Sequence, residues 1–86
     1  MEVINKFFEE MDKVMYENKD LYMNIQKLRH NGAWRIHVMG KCMTRAGGDA
    51  ELLYVEDSDR NTAFKCALEK IEQLKTNIKN LKEMKE

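Results

Sequence analysis

Apolar residues recur at helical spacing in the first and last parts of the chain. In residues 2–17 they fall three, four and seven positions apart, at Val3, Ile4, Phe7, Phe8, Met11, Val14 and Met15. This spacing predicts an amphipathic helix with one stripe facing a core. The last part of the chain has the same spacing at Phe64, Ala67, Leu68, Ile71, Leu74, Ile78 and Leu81. It predicts one long helix over residues 59–84, capped near Asp57, Ser58 or Asp59.

The apolar stripe of this last helix narrows beyond Ile71. Its remaining members, Leu74, Ile78 and Leu81, have the a/d spacing of a coiled coil. A helix over residues 59–84 would be about 39 Å long at ~1.5 Å per residue, which exceeds what a small core needs. Either the first helix or a second copy of the chain must cover it. We therefore expect a homodimer or higher homo-oligomer with these three residues at the interface.

The middle of the chain alternates between apolar and polar residues. In residues 33–43, Trp34, Ile36 and Val38 alternate with polar neighbours, which predicts a half-buried strand. Residues 50–57 predict a second strand. The glycine pair at 47–48 between them supplies the positive φ that a turn needs. We interpret the turn as plain, although consecutive glycines beside Arg45 could also form an anion-binding nest.

Residues 21–30 fit two interpretations. As a helix they continue the first helix, and Asn31-Gly32 is its C-cap. As a strand they form a hairpin with residues 33–43, with Asn31-Gly32 as a two-residue turn and Ile25 opposite Val38. The strand places the apolar residues of both strands on one face, and three strands backed by helices are more stable than two. We favour a single α+β domain of order αβββα over residues 1–86, with αββα as the alternative.

The order αβββα resembles that of double-stranded-RNA-binding domains, whose last helix opens with a lysine-rich motif. At the corresponding residues 58–63 this chain has Asp59 and Ala63 where lysines are expected, and only Arg60 is basic. The two-helix interpretation resembles the helix–hairpin–helix layout of prefoldin, without a motif. The same coarse topology arises without kinship, so neither resemblance assigns the chain to a family.

Charge is unevenly distributed although the net charge is zero. Residues 21–48 contain five Lys or Arg and no Asp or Glu, whereas six acids against three bases precede them and nine against seven follow. A basic centre of this kind indicates an anionic partner. On a hairpin it forms a polar sheet face that lacks acid, together with a cluster at the turn. The residues that we expect to bind the ligand are Tyr22, Lys27, Arg29, His30, Arg35, His37, Lys41 and Arg45.

The sequence offers little for catalysis or metal binding. The only serine, Ser58, stands where a helix cap is expected, and no nucleophile has a base to activate it. His37 and Cys42 would point to opposite faces of one strand, and no CxxC or HxxxH spacing occurs. We expect Cys42 to be a small buried residue on the Trp34 face. We therefore expect no enzyme activity, no metal and no cofactor.

These observations predict a non-enzymatic binding or regulatory protein. Its basic hairpin would bind a nucleotide, a nucleic acid or an acidic protein surface. The alternative is a protein–protein adaptor assembled through the coiled-coil stripe, with no such ligand. Eleven Lys against four Arg, seven Asn and no Pro suggest an A/T-rich genome, which suits a phage-type regulator or inhibitor of host machinery. Without a basic leader or a long apolar run, we expect a cytoplasmic protein with free thiols and no membrane contact.

Overall fold

The αβββα order is confirmed, and the last helix is divided in two. The computed structural model describes residues 2–85, and within them the elements are α1 (Glu2–Glu17), β1 (Leu21–Lys27), β2 (Trp34–Gly40), β3 (Ala50–Asp57), α2 (Arg60–Glu69) and α3 (Ile71–Lys85). The strands form one antiparallel sheet in the order β1-β2-β3. Residues 21–27 are therefore a strand, and the αββα alternative is wrong.

The helices cover the face of the sheet to which the apolar residues of the strands point, and the other face is open. Ile36 and Val38 on the central strand are fully buried. On this face α2 lies over β2 and β3, α3 lies over β3, and α1 packs against α2. The core is completed by an edge-to-face contact between Phe7 and Phe64, whose ring centroids are 5.4 Å apart. The opposite face of the sheet carries the polar residues of all three strands.

The β1–β2 hairpin is shifted by two residues from the expected register. Ile25 lies opposite Ile36 instead of Val38, and residues 28–33 form a longer connection in place of a two-residue turn. Gly32 in this connection has φ +69°, a left-handed conformation that glycine adopts without strain. Because side-chain direction repeats every two residues, the shift leaves each side chain on its predicted face.

Strand β3 contains a bulge. Val38 pairs with Leu53, but the next residue of β2, Met39, pairs with Glu51, so Leu52 is an extra residue. Both leucines are buried. A bulge bends its strand and breaks strict alternation, which explains how two consecutive side chains can enter one core.

Helices α2 and α3 replace the single helix expected over residues 59–84. The two helices meet at Lys70, which has φ −90° and ψ −2°. Its N–H donates to two carbonyls of the preceding turn at 3.2 and 3.1 Å, which tightens that turn. Neither glycine nor proline stands near this position, so no residue signals the break. After it, α3 lies over β3 and also contacts α1.

Cys42 is exposed, and the prediction that it is buried on the Trp34 face is wrong. Strand β2 ends at Gly40, so strand alternation does not extend to Cys42, which has φ +55°. Met43 is buried in its place, and its side chain occupies the space beside Gly40 that a Cβ atom would need.

Candidate anion-binding surface

The eight residues predicted to bind an anion lie in three separate places. At the turn between β1 and β2 are Lys27, Arg29 and His30. In the middle of the open sheet face are Arg35 and His37. At the opposite end of the sheet, beside the β2–β3 connection, are Tyr22, Lys41 and Arg45. The surface is therefore best considered as three regions, each with its own partners.

The middle of the open face carries both signs of charge. His37 lies 3.2 Å from the carboxylate of Glu51, measured from Nε2 to Oε2. Arg35 donates from its guanidinium to Gln26 on one side and stands opposite Glu56 on the other. The expectation that this face lacks acid is wrong, because β3 lies outside the acid-free stretch and brings its carboxylates alongside β2.

Tyr54 closes this network in the middle of the face. Its ring meets the His37 ring edge-on, with centroids 5.3 Å apart. Its hydroxyl donates to Glu56 Oε1 at 2.9 Å, which raises the pKa of Tyr54, while Arg35 nearby acts in the opposite direction. The side chains of this region therefore bond mostly to one another, although the buried Nε of Arg35 has no hydrogen-bond partner. The carboxylates of Glu51 and Glu56 leave little uncompensated positive charge for an anion.

The far end of the sheet is organised around Asp49. The Tyr22 hydroxyl donates to its Oδ2 at 2.6 Å, and the Cys42 N–H donates to its Oδ1 at 2.9 Å. Both hydrogen bonds lower the pKa of Asp49, and the bond from Tyr22 has the larger effect. The bond between Tyr22 and Asp49 also raises the pKa of Tyr22. Tyr22 is therefore tied to a carboxylate, which disfavours an anion beside it.

The glycine-containing connection between β2 and β3 forms a closed turn. The N–H groups of Thr44 and Gly47 donate to carbonyls within it at 2.9 Å, and the N–H of Gly48 donates to the Thr44 hydroxyl at 2.7 Å. An anion-binding nest needs N–H groups that point outward together. These three are used inside the turn, so the geometry favours the plain turn.

The connection at the other end of β2 holds its basic residues outside the core. The N–H of Leu28 donates to the Ala33 carbonyl at 2.7 Å, and the Asn31 side chain accepts from the Ala33 N–H at 2.9 Å. The loop is therefore braced by its own hydrogen bonds. Arg29 and His30 between these anchors are exposed.

Trp34 forms the centre of this end of the sheet. The Nζ of Lys27 lies 5.9 Å from the centroid of its ring, and the Cζ of Arg60 lies 5.8 Å from it. A cation–π contact holds a cation in place without neutralising it, unlike a carboxylate. Within residues 2–85, none of the ion pairs involves Lys27, Arg29 or His30. We call Lys27, Arg29, His30 and Arg60, around Trp34, the cationic tip.

The acidic residues closest in sequence to Arg60 are used by the start of α2. Asp57, which pairs with Trp34 across the sheet, accepts from the Asp59 N–H at 2.9 Å. Asp59 caps α2 by accepting from the N–H and hydroxyl of Thr62 at 2.8 and 2.7 Å, which lowers the pKa of Asp59. Their carboxylates are therefore hydrogen-bonded to the backbone and hydroxyl of the cap, and the charge of the adjacent Arg60 also lowers the pKa of Asp59.

Trp34, at the centre of the cationic tip, and Arg60, one of its cations, are absent from the sequence-based list. Trp34 fits the apolar pattern of β2 and was assigned only to the core, and Arg60 lies outside the acid-free stretch. Trp34 pairs with Asp57 across the sheet, and this pairing places the start of α2 beside the β1–β2 connection. Arg60 is near Trp34 for this reason. Antiparallel pairing of the two predicted strands could have indicated that neighbourhood.

A groove of about 500 Å³ between α1 and α3 is a second basic surface. Val14 and Ile78 form its buried part, and its rim contains four lysines and two carboxylates: Lys13, Lys75, Lys79, Lys82, Glu17 and Glu83. Lys13 lies near Glu10 at 3.8 Å, and Lys75 near Glu72 at 3.3 Å. Because these lysines have carboxylates beside them, the groove has less uncompensated charge than its lysine content suggests.

The three residues expected at an oligomer interface lie largely inside the chain. Leu74 is 0% exposed and Ile78 is 5% exposed, while Leu81 is half-buried against the same core. The chain itself therefore covers the apolar stripe that has coiled-coil spacing. A second copy is not needed to bury these three residues.

The described part of the chain has few features of other functional classes. Among residues 2–85, no group of three or more His, Cys, Asp or Glu is placed to hold a metal ion. None of the helices there is both long and apolar enough to cross a bilayer.

Comparison of the chain with protein-family models, with curated proteins and with solved structures finds no significant match.

Proposed function

We propose that this chain is a non-enzymatic binding module whose cationic tip binds the phosphate groups of a nucleic acid. The observation that carries the proposal is the position of the Trp34 ring near two cations, with its centroid 5.9 Å from Lys27 Nζ and 5.8 Å from Arg60 Cζ. These side chains are held near one another by an uncharged ring. Lys27 takes part in none of the ion pairs among residues 2–85, so its positive charge supports the attraction of an incoming anion.

The residue types in the cationic tip suit phosphate. An arginine can donate two parallel hydrogen bonds to phosphate oxygens, and a lysine acts as a compact point charge beside them. Arg29 and His30 are exposed on a braced loop. Among residues 2–85, none of the ion pairs involves Lys27, Arg29 or His30. In the other two regions, His37 contacts Glu51 and Tyr22 is hydrogen-bonded to Asp49.

Preorganisation supports binding at the same place. Long basic side chains lose conformational freedom when they bind, which costs about 0.5–1.5 kcal/mol for each side chain that is immobilised. Part of this cost is already met for Lys27 and Arg60, because the Trp34 ring restrains both in the free protein. Binding should then depend on Trp34 even if no base touches it.

The proposal is tested with fluorescently labelled RNA and DNA, single-stranded and duplex, at about 50 mM salt, where phosphate contacts are strongest. The test variant is Lys27→Gln, Arg29→Gln. The matched control, Arg45→Gln, Lys79→Gln, removes one arginine and one lysine from exposed sites elsewhere. We expect the test variant to bind at least about tenfold more weakly and to have a salt slope lower by about two, since each phosphate contact releases counterions.

Two results would contradict this function. One is the absence of binding by the natural chain to all four nucleic acids. The other is an equal loss of affinity in the test and control variants, which would indicate binding by overall charge and not by the tip. Trp34 is the only tryptophan, so a change in its emission on titration gives an independent measurement of occupancy near the tip.

A further inference from the structure

Strand β1 is one edge of the sheet, and its hydrogen bonds fix which of its residues face outward. The Leu28 N–H donates to the Ala33 carbonyl at 2.7 Å, and the Lys41 N–H donates to the Asp20 carbonyl at 2.8 Å. Both pairs continue the β1–β2 register, in which hydrogen-bonded pairs alternate. The residues of β1 that bond to β2 are therefore Tyr22, Asn24 and Gln26. The residues whose N–H and C=O groups point away from the sheet are Met23, Ile25 and Lys27.

This edge lacks the features that usually prevent strands from pairing. It has no proline and no bulge, and its one charged residue, Lys27, stands at its end. Met23 and Ile25 are only half-buried, on the side of the sheet that carries the helices. An edge with free backbone groups and partly exposed apolar side chains favours the addition of another strand.

We propose that β1 pairs antiparallel with β1 of a second copy of this chain, about a two-fold axis at Asn24. In this register all seven residues of both strands overlap. Met23 then lies opposite the partner's Ile25, and Lys27 lies opposite the partner's Leu21. The outward N–H and C=O groups of Met23 and Ile25 in each copy then meet those of Ile25 and Met23 in the other, whereas the Leu21 N–H is already bonded to the Asn18 carbonyl at 3.2 Å.

The self-complementarity of the edge identifies a copy of the chain as the occupant. A two-fold axis at Asn24 places Met23 opposite the partner's Ile25 twice and brings no like charges together, because the one charged residue, Lys27, lies opposite Leu21. An 86-residue chain also has a small core, so the additional buried surface would add to its stability. The proposal does not rest on anion binding by the cationic tip.

The first test is sedimentation velocity from about 1 to 200 µM, because dimerisation follows mass action. We expect the mass to rise from 10.2 kDa towards twice that value. Ile25→Pro removes an N–H that points outward, so it should leave the β1–β2 hydrogen bonds intact and keep the chain monomeric. A natural chain that stays monomeric throughout this range would overturn the proposal.

The second test locates the axis and does not depend on the folding of a proline variant. Cys42→Ser, Cys66→Ala provides a background without thiols, into which either Asn24→Cys or Gln26→Cys is introduced. Asn24 would face its own copy across a non-hydrogen-bonded pair with Cα atoms about 4.5 Å apart, within the range for a disulfide. Gln26, on the same face, would lie opposite the partner's Tyr22. We expect oxidation to cross-link Asn24→Cys alone, and equal cross-linking of both variants would contradict the register.

Discussion

Lys82 donates a hydrogen bond of 2.6 Å from its Nζ to the side-chain oxygen of Asn18, which lies 64 positions earlier in the chain. The Nδ2 of Asn18 donates in turn to the Val14 carbonyl at 2.8 Å. Val14 belongs to the last turn of α1, whose carbonyls have no partners within the helix. One amide side chain therefore closes the end of α1 and joins it to α3.

Replacing this amide should weaken the folded state through both of its contacts. We expect Asn18→Ala to lower the free energy of unfolding by about 1 kcal/mol, as for a typical hydrogen-bonded group near the surface. Lys82→Ala should cost less, and Lys79→Ala, on the same helix, should cost almost nothing. Urea denaturation of the single variants and of the Asn18→Ala, Lys82→Ala double variant measures the coupling. Strictly additive losses would show that the two side chains do not act together.

The stability of the chain should fall in acid partly through Asp49. Its folded pKa lies below the ordinary value of 3.8 because Tyr22 and then the Cys42 N–H donate to it. The folded carboxyl thus stays charged where the unfolded one binds a proton. This contribution is present above the unfolded pKa and is lost as pH falls through the folded pKa.

Urea titrations between about pH 2 and 6 check this dependence. We expect Asp49→Asn to flatten the acid-induced fall in the free energy of unfolding, and Tyr22→Phe to reduce it in part. Asp12→Asn changes an exposed carboxylate of α1 outside this network and is the matched control. If the control flattens the curve as much as Asp49→Asn does, the hydrogen bonds to Asp49 are not the cause.

Two adjacent phenylalanines should respond very differently to truncation. Phe7 is 0% exposed, whereas Phe8 is 37% exposed, although both rings lie near Phe64. We expect Phe7→Ala to cost about 3–5 kcal/mol, the usual range for a fully buried phenylalanine, and Phe8→Ala clearly less. Thermal unfolding followed by circular dichroism gives both values. Similar losses would contradict the assignment of Phe7 to the centre of the core.

Gly40 should not tolerate a side chain. A Cβ there would lie 2.9 Å from Met43 Cγ and 3.3 Å from Leu52 Cδ1, so the buried neighbours would have to move. We expect Gly40→Ala to cost about 1–3 kcal/mol by overpacking. In Gly48→Ala the nearest atom would be Thr44 Oγ1 at 3.4 Å, an ordinary contact, and the change should be nearly neutral. Calorimetry measures the loss of stability in each variant. If a smaller residue in place of Met43 reduces the loss caused by Gly40→Ala, the contact with Met43 is its cause.

The sheet faces were predictable because alternation is local. Ile36 and Val38 are buried as their spacing requires, even though the hairpin register differs by two residues from the expected one. A shift by two preserves the face, whereas a shift by one would have exchanged the core side for the open side. The sheet face on which a residue lies can therefore be predicted from its neighbours in the chain. Its partner on the adjacent strand cannot be predicted in this way.

The parts that could not be predicted depend on residues far apart in sequence. The contact of His37 with Glu51 depends on the register between β2 and β3 and on the bulge at Leu52, and the sequence specifies neither. The break at Lys70 likewise has no signal in the sequence, because helix propensity alone favours continuation. For the same reason the charge of one stretch was a poor guide to the charge of the surface that it forms.

The bulge at Leu52 makes the two edges of the sheet unequal. It bends β3, and α3 lies over that strand, so β3 does not offer a straight row of backbone groups. A sheet with two straight edges can add copies at both and grow into a fibre. With β1 as the only straight edge among residues 2–85, growth would end after one addition. An irregularity on one strand would thus protect the chain from open-ended polymerisation through the other.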